Sequence, residues 1–306
     1  MGFKIKKIAA VTGARGLVGL SIVEDLLKSG WKVRILTRSN DSYVKSEVDI
    51  VVSDINNENG LNLLLQDVDA VFHCAGEINN EDLMYTINVN GTKKILSALR
   101  KSNVNYFCHI SSAGVIGKTN ETNITENSTC EPIGVYEKTK YESEKLVLNA
   151  NLPMNVVILR PTNVVNINRP GVFIQLPIRN NWKDKIKVMI TGKENAHIVH
   201  SYDVARAALF FLDSHSDKQN IYFVSNDDKF NTILGIYNLY ISICKNYKSK
   251  IRFSFPVIIP HIMRKIYRGH SLHGKVRFSS KKIKDKGFLF RFNTKECVNS
   301  FCDFEK

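Results

Sequence analysis

Tyr136 and Lys140 stand four residues apart in Tyr136-Glu137-Lys138-Thr139-Lys140. On a helix, residues four apart share a face. The ammonium of Lys140 can then lower the phenol pKa of Tyr136 from about 10, which makes tyrosinate available as a general base for a substrate hydroxyl. With 11 Tyr in the chain, about one such spacing is expected by chance. A second exists in Tyr141-Glu142-Ser143-Glu144-Lys145. Five residues turn a helix by roughly 140°, so both tyrosines cannot face one site.

The second constellation is Thr12-Gly13-Ala14-Arg15-Gly16-Leu17-Val18-Gly19. Its glycines recur every third residue between an apolar run and a helical pattern. Gly13 allows a tight turn, Gly16 lets backbone approach a pyrophosphate, and Gly19 lets helix and strand pack closely. Leu17, Val18 and Gly19 open the helix, whose N-terminus suits a phosphate. A dinucleotide is the expected ligand. The next strand should end in an acid for an NAD ribose or a cation for an NADP 2′-phosphate. It ends Ile35-Leu36-Thr37-Arg38-Ser39. Arg38 and Arg15 together suit a phosphate dianion, so NADP is expected as cofactor, with NAD possible.

These residues need elements to position them. Apolar runs over 5–12, 31–37, 48–53, 70–74, 106–110, 155–159 and 221–224 read as strands. Helical spacing covers 17–29, with a stop at Gly30, and then 86–100, 136–149 and 204–212. The alternation predicts an α/β fold: a Rossmann-type doubly wound parallel sheet with a smaller C-terminal α+β substrate-binding part. The expected division is a nucleotide-binding domain over 1–165, to which 198–225 returns, and a basic substrate-binding part over 166–197 and 226–306.

The G-x-x-G-x-x-G spacing resembles the short-chain dehydrogenase/reductase superfamily, in its extended branch of NAD(P)-dependent epimerases and dehydratases. Further motifs extend the resemblance over residues 5–165 and 198–225. Ser111-Ser112-Ala113-Gly114-Val115-Ile116-Gly117 is similar to the family's S-S-A-x-V-Y-G stretch, which implies a catalytic Ser112 that hydrogen-bonds the reacting oxygen and also touches substrate. Tyr136 follows Ser112 by 24 residues and is therefore preferred over Tyr141. Lys140 would also hold the nicotinamide ribose. The resemblance places Asp54 and Ile55 against the adenine, and Ala75, Gly76 and Asn88 (in Asn88-Val89-Asn90-Gly91-Thr92) beside the cofactor. Arg160-Pro161-Thr162-Asn163-Val164 looks like an R-P-x-N-V element, with Pro161 near the nicotinamide and Asn163 near a substrate diphosphate. Val199 to Ala207 resembles V-H-V-x-D-V-A-R-A; His200 and Asp203 read as structural, Asp203 as a helix N-cap. His197 is a weaker substrate candidate.

Departures narrow the chemistry. Ala113 and Gly114 stand where sugar-nucleotide 4,6-dehydratases carry an acidic pair, so dehydration lacks its acid and base. Gly114 cannot replace the Cys of 3,5-epimerase-reductases. What remains is hydride transfer at one carbon. The first reading is an epimerase or reductase of a nucleotide-activated sugar. The rival is a reductase or dehydrogenase of a non-nucleotide carbonyl or alcohol, favoured because Asn195, Ala196 and His197 stand where UDP-sugar epimerases place a diphosphate-gripping Arg. A third reading is a non-catalytic binding protein of the same fold. Relatives often dimerise through helices that include the Tyr136 helix, so a homodimer is expected.

Composition bounds the rest. The chain has 306 residues, 43% hydrophobic and 24% charged, which excludes collagen-like, coiled-coil and disordered classes. No apolar run approaches the roughly 20 residues that span a bilayer. The start imitates a signal peptide, but Arg15 cuts the run short. Cys74, Cys108, Cys130, Cys244, Cys297 and Cys302 form no C-x-x-C pair and lie at no zinc spacing. Free thiols, a cytoplasmic location and no metal are expected. The formal net charge is +14, and +12 of it lies in 245–306. That basic part could attract a phosphorylated substrate, nucleic acid or an anionic membrane surface, or simply be solvated.

Overall fold

The computed structural model describes residues 7–39, 47–166, 173, 176–178, 181–213, 220–226, 228–249, 251–268 and 274–305. They divide into two compact units: Met1–Val115, Pro132–Arg160 and Val204–Tyr222 in one, and Ile116–Glu131, Pro161–Asp203 and Phe223–Lys306 in the other. The segment 116–131, kept with the first domain in the sequence reading, thus groups with the second unit.

The first unit begins with β1 (Ile8–Thr12), α1 (Leu17–Lys28), β2 (Lys32–Thr37), β3 (Val48–Val52), α2 (Glu58–Leu65), β4 (Ala70–His73) and α3 (Glu81–Met84). A π-helical turn (Tyr85–Asn90) leads into α4 (Gly91–Leu99) and β5 (Tyr106–Ile110). After β6 (Asn123–Ile124) of the second unit come α5 (Val135–Leu148) and β7 (Asn155–Pro161). The sheet has seven strands in the order β10-β7-β5-β4-β1-β2-β3, with β10 formed by Asn220–Val224. The pairs from β7 to β3 are parallel. Central β4 and β5 are buried along their whole length, as helices on both faces require of a parallel strand. The chain runs outward from β1 to β2 and β3, then restarts on the other side with β4 and β5. The β1/β4 boundary is therefore a topological switch point, where a crevice opens beyond the strand ends.

Local chemistry sets the ends of these elements. α1 buries Ile22, Val23 and Leu26 and stops where Gly30 takes φ +81°, a left-handed conformation that glycine adopts without strain. Asn57 caps α2 by accepting from the Gly60 N–H at 3.0 Å.

The second unit pairs β6 with β11 (Arg277–Phe278), and β8 (Asn163–Val165) with β9 (Ile198–His200). Around them lie α6 (Trp182–Thr191), α8 (Ile233–Cys244), α9 (Ile258–Arg268), α10 (Lys281–Asp285) and α11 (Thr294–Glu305). Ile236, Tyr237, Tyr240 and Ile241 of α8 pack with Val298, Phe301 and Cys302 of α11. Two expectations are corrected here. Cys244 and Cys302 form a disulfide, with Cα atoms 5.4 Å apart; the helices meet across 58 residues, so no local spacing betrayed the pair. Cys74, Cys108 and Cys297 are free thiols. Asp203 does not cap α7 (Ser201–Phe210) from outside but lies in its first turn. Its carboxylate accepts from the N–H groups of Arg291 and Phe292, both at 2.9 Å. Among the described residues, no helix is long and apolar enough to cross a membrane.

Candidate active site

The turn after β1 has room only for glycine. Gly13 takes φ +67°, and a Cβ there would lie 2.6 Å from the Ala75 nitrogen. A Cβ on Gly19 would lie 2.8 Å from the Gly13 carbonyl carbon. The Gly16 N–H donates to the Gly13 carbonyl at 2.9 Å and closes the turn. The first-turn N–H groups at Leu17, Val18 and Gly19 receive no side-chain cap from Gly16, so they present donors and the positive end of the helix.

A cleft of about 190 Å³ lies beyond the ends of β1 and β4. Gly13, Arg15, Arg38, Asp54, Ile55, Ala75 and Gly76, all expected beside the cofactor, line it. Ile55 is buried and leaves no room for a Cβ on Gly91. The Asp54 carboxylate accepts from the Asn56 backbone at 2.8 Å. Arg15 donates to the Ser39 hydroxyl at 3.2 Å and to its carbonyl at 3.0 Å, which draws the guanidinium toward the end of β2 and the exposed Arg38. Glu77 also lines the cleft, a residue the sequence did not single out. Its carboxyl is held below the usual range, chiefly by the N–H groups of Asn79 and Asn80 and also by Arg38. Glycine backbone, an uncapped helix start and two guanidinium groups fit a dinucleotide, and these residues would hold it.

Behind the cleft, buried polar groups fix the strand ends. The Thr92 hydroxyl donates to the Asn88 carbonyl at 2.6 Å. His73 Nε2, 3.0 Å from the same hydroxyl, must therefore be the donor, so Nδ1 accepts from the Thr12 hydroxyl at 2.7 Å. Burial holds His73 neutral, with its pKa lowered to about 3. Asn88 is itself buried. Its oxygen accepts from the Glu77 N–H at 2.7 Å, and its amide donates to the Glu77 carbonyl at 3.1 Å and the Thr139 hydroxyl at 3.0 Å.

Thr139 belongs to α5, as do Tyr136 and Lys140. Ser112 stands near the Tyr136 hydroxyl and acts to lower its pKa, and its Oγ accepts from the Gly114 N–H at 3.1 Å. Lys140 is 4% exposed and donates to the Ile110 carbonyl at 2.6 Å. The expected electrostatics differ in one respect. Tyr136 is pushed up to about 12, not down, because burial of its hydroxyl outweighs the lowering influence of nearby Ser112. Burial also lowers Lys140 to about 8. The second match, Tyr141 and Lys145, is a surface pair: the ammonium lies 4.9 Å from the ring centre.

Beside Ser111 lies a pair that the sequence did not reveal. Glu144 and Arg160 are both buried and 2.5 Å apart, and Glu144 also accepts from the Ser111 hydroxyl at 2.7 Å. Glu144 lies inside the misleading second match, which concealed it. In the second unit, Pro161 ends β7, and Asn163 donates its amide to the Ala196 carbonyl at 2.8 Å. His197 takes φ +53° and meets Phe278 edge-on at 5.1 Å. His200 stacks on Phe292 at 3.9 Å.

Comparison with known proteins follows this geometry. A mouse (Mus musculus) sterol-4-alpha-carboxylate 3-dehydrogenase is 30% identical over 218 residues, 66% of this chain and 59% of that protein. A putative dihydroflavonol 4-reductase of Synechocystis is 30% identical over 51% of this chain and 48% of its own length. A putative UDP-glucose 4-epimerase of Methanocaldococcus jannaschii is 28% identical over 69% and 75%. The chain thus spans about half to three-fifths of several curated relatives it matches. The fold is shared with a UDP-glucuronic acid 4-epimerase from Bacillus cereus solved with NAD, at TM-score 0.75 and 20% identity over 97% of this chain and 96% of that one. Residues 9–225 match the model of one family along their length, and the chain belongs to the NAD-dependent epimerase/dehydratase family.

Proposed function

We propose that the protein is an NADP-preferring oxidoreductase that interconverts a secondary alcohol and a ketone on a non-nucleotide substrate. The observation that carries the reaction is the placement of Ser112 beside the Tyr136 hydroxyl, whose pKa it lowers, with buried Lys140 one helical turn on. The nicotinamide, when bound, supplies or takes the hydride at the carbinol carbon. In reduction, Tyr136 gives its phenolic proton to the carbonyl oxygen. Ser112 holds that oxygen by a hydrogen bond and stabilises its developing charge. In oxidation, the same proton returns from the hydroxyl to Tyr136. Lys140 orients the ribose hydroxyls and favours the charged form of the phenol once its ammonium is drawn toward the site.

The substrate class rests on the second unit. Asn163, the expected diphosphate ligand, donates to the Ala196 carbonyl. Ala196 is buried and carries no cation for a diphosphate. The sterol and flavonol relatives, at 30% identity, point the same way. Two observations support a nucleotide-sugar: a cleft of about 850 Å³ in the second unit is lined by Lys193, Lys275 and Arg277, and the putative UDP-glucose 4-epimerase, at 28% identity, matches over the larger share of both chains. Incubation of the full chain with NADPH and ketone panels tests the choice. Oxidation of NADPH with a cyclic ketone, and none with UDP-, GDP- or dTDP-keto sugars, supports this reading. Turnover confined to nucleotide-sugars would replace it.

A further inference from the structure

The helix α9 is amphipathic in the wrong sense for a globular surface. At 100° per residue, Ile258, Ile262, Ile266, Ile259, Met263 and Tyr267 fall on one arc of roughly 180°. All six are exposed, Ile266 by 77% and Tyr267 by 88%. The opposite edge faces the protein: Val257, just before the helix, and Pro260 are buried, and Arg264 is ion-paired with Glu194, whose side chain is 10% exposed. Arg264 therefore points inward and the apolar face outward, the reverse of a core-facing helix. Neighbouring segments extend the apolar surface. α6 touches α9 and exposes Trp182, Ile186 and Met189, spaced as one helical stripe. The Met189 carbonyl accepts from the Phe255 N–H at 2.8 Å, and Phe253 and Phe255 are exposed beside it.

Charge selects the occupant. Lys265 borders the stripe, α6 carries Lys183, Lys185 and Lys187, and the cleft containing Lys193, Lys275 and Arg277 includes Ile258 at the start of α9. The sequence from 245 to 306 holds a net +12. Apolar residues with aromatic members and a basic surround match an interfacial helix on anionic lipid. Eleven residues rise only about 16 Å, half of a hydrocarbon core, so the helix would lie in the interface and not cross it. Nucleic acid would use the cations but leave the isoleucines exposed. We propose that α9, with the exposed face of α6, docks the protein on the surface of an anionic phospholipid bilayer. This does not depend on which alcohol the enzyme oxidises.

Vesicle co-sedimentation of the full chain tests it. The probes are vesicles of phosphatidylcholine alone and of phosphatidylcholine with phosphatidylserine. The expected result is binding to the mixed vesicles, weaker by roughly tenfold or more without phosphatidylserine, and weaker by a similar factor in I262E/I266E. Circular dichroism and NADPH affinity of the variant report its folding. In a Trp31→Phe protein, Trp182 emission should shift to the blue on the mixed vesicles, a readout that leaves α9 intact. Failure to sediment at low salt, equal binding by I262E/I266E, or an unshifted Trp182 spectrum would overturn the proposal. So would a parent dimer that ignores vesicles and becomes a monomer in I262E/I266E, since a second copy would then cover the stripe. RNA binding without vesicle binding would overturn it too.

Discussion

The side-chain amide of Asn88 donates to the Thr139 hydroxyl at 3.0 Å, across 51 residues of sequence. That bond joins the π-helical turn behind the nucleotide cleft to the helix carrying Tyr136 and Lys140. The same amide clamps the Glu77 backbone. π-Helical turns cluster at functional sites, and here the turn aims one buried amide at the Glu77 backbone and at α5.

Asn88→Ala should leave the Glu77 N–H and carbonyl without this partner. Each buried group so stranded costs about 1–3 kcal/mol. A loss of about 2–4 kcal/mol in urea unfolding is expected, with kcat falling further than NADPH affinity. Unchanged stability and kcat would show that the clamp holds nothing in place.

Tyr136→Phe removes the proton donor and keeps the ring. Turnover should fall by roughly 10²–10⁴, while NADPH affinity stays within about twofold. Lys140, lowered to about 8 by burial, loses its charge above that pH. Reductive kcat/KM, which reports free-enzyme groups, should therefore decline as pH rises through about 8.

Much of this site was legible because its signals are local. Gly13 and Gly19 mark positions where a side chain has no room, and the apolar runs announce buried strands. Tyr136 and Lys140 share a face whatever the tertiary structure. What stayed hidden is set by contacts distant in sequence. Glu144 meets Arg160 only because α5 packs beside β7, and Cys244 meets Cys302 only because α8 packs on α11. The π-helical turn merged with α4 in a single periodic reading of 86–100. The direction of the Tyr136 shift was also missed, since spacing reveals a neighbouring charge but not the burial that opposes it. α9 escaped because its apolar period is that of an ordinary core helix; only the fold shows that the stripe faces outward.

Acid should destabilise the fold through its buried histidines. His73 is lowered to about 3 and His200 to about 4, both by burial. Their unfolded forms take up protons near 6.5, so the unfolded state binds more protons between those values. Stability is present above about pH 6.5 and is lost as pH falls toward 4 and then 3. Each histidine contributes about 1.4 kcal/mol per pH unit in that window. Urea midpoints at pH 7, 5.5 and 4.5 should fall steeply, and less steeply in His73→Gln.

The Cys244–Cys302 bond closes a loop of 58 residues. Removing it as C244S/C302S should lower the unfolding free energy by about 2–4 kcal/mol. Reduction of the parent should give the same shift in urea midpoint. A parent insensitive to reductant would contradict the bond.

The most direct test of the central claim is fluorescence titration of the full chain with NADPH and NADH, repeated on Arg38→Gln. The expected result is NADPH binding at least roughly tenfold tighter than NADH, a preference lost in Arg38→Gln as a charge-assisted contact to the 2′-phosphate disappears. Equal affinities would contradict the NADP assignment, and binding of neither nucleotide would contradict the proposed oxidoreductase itself.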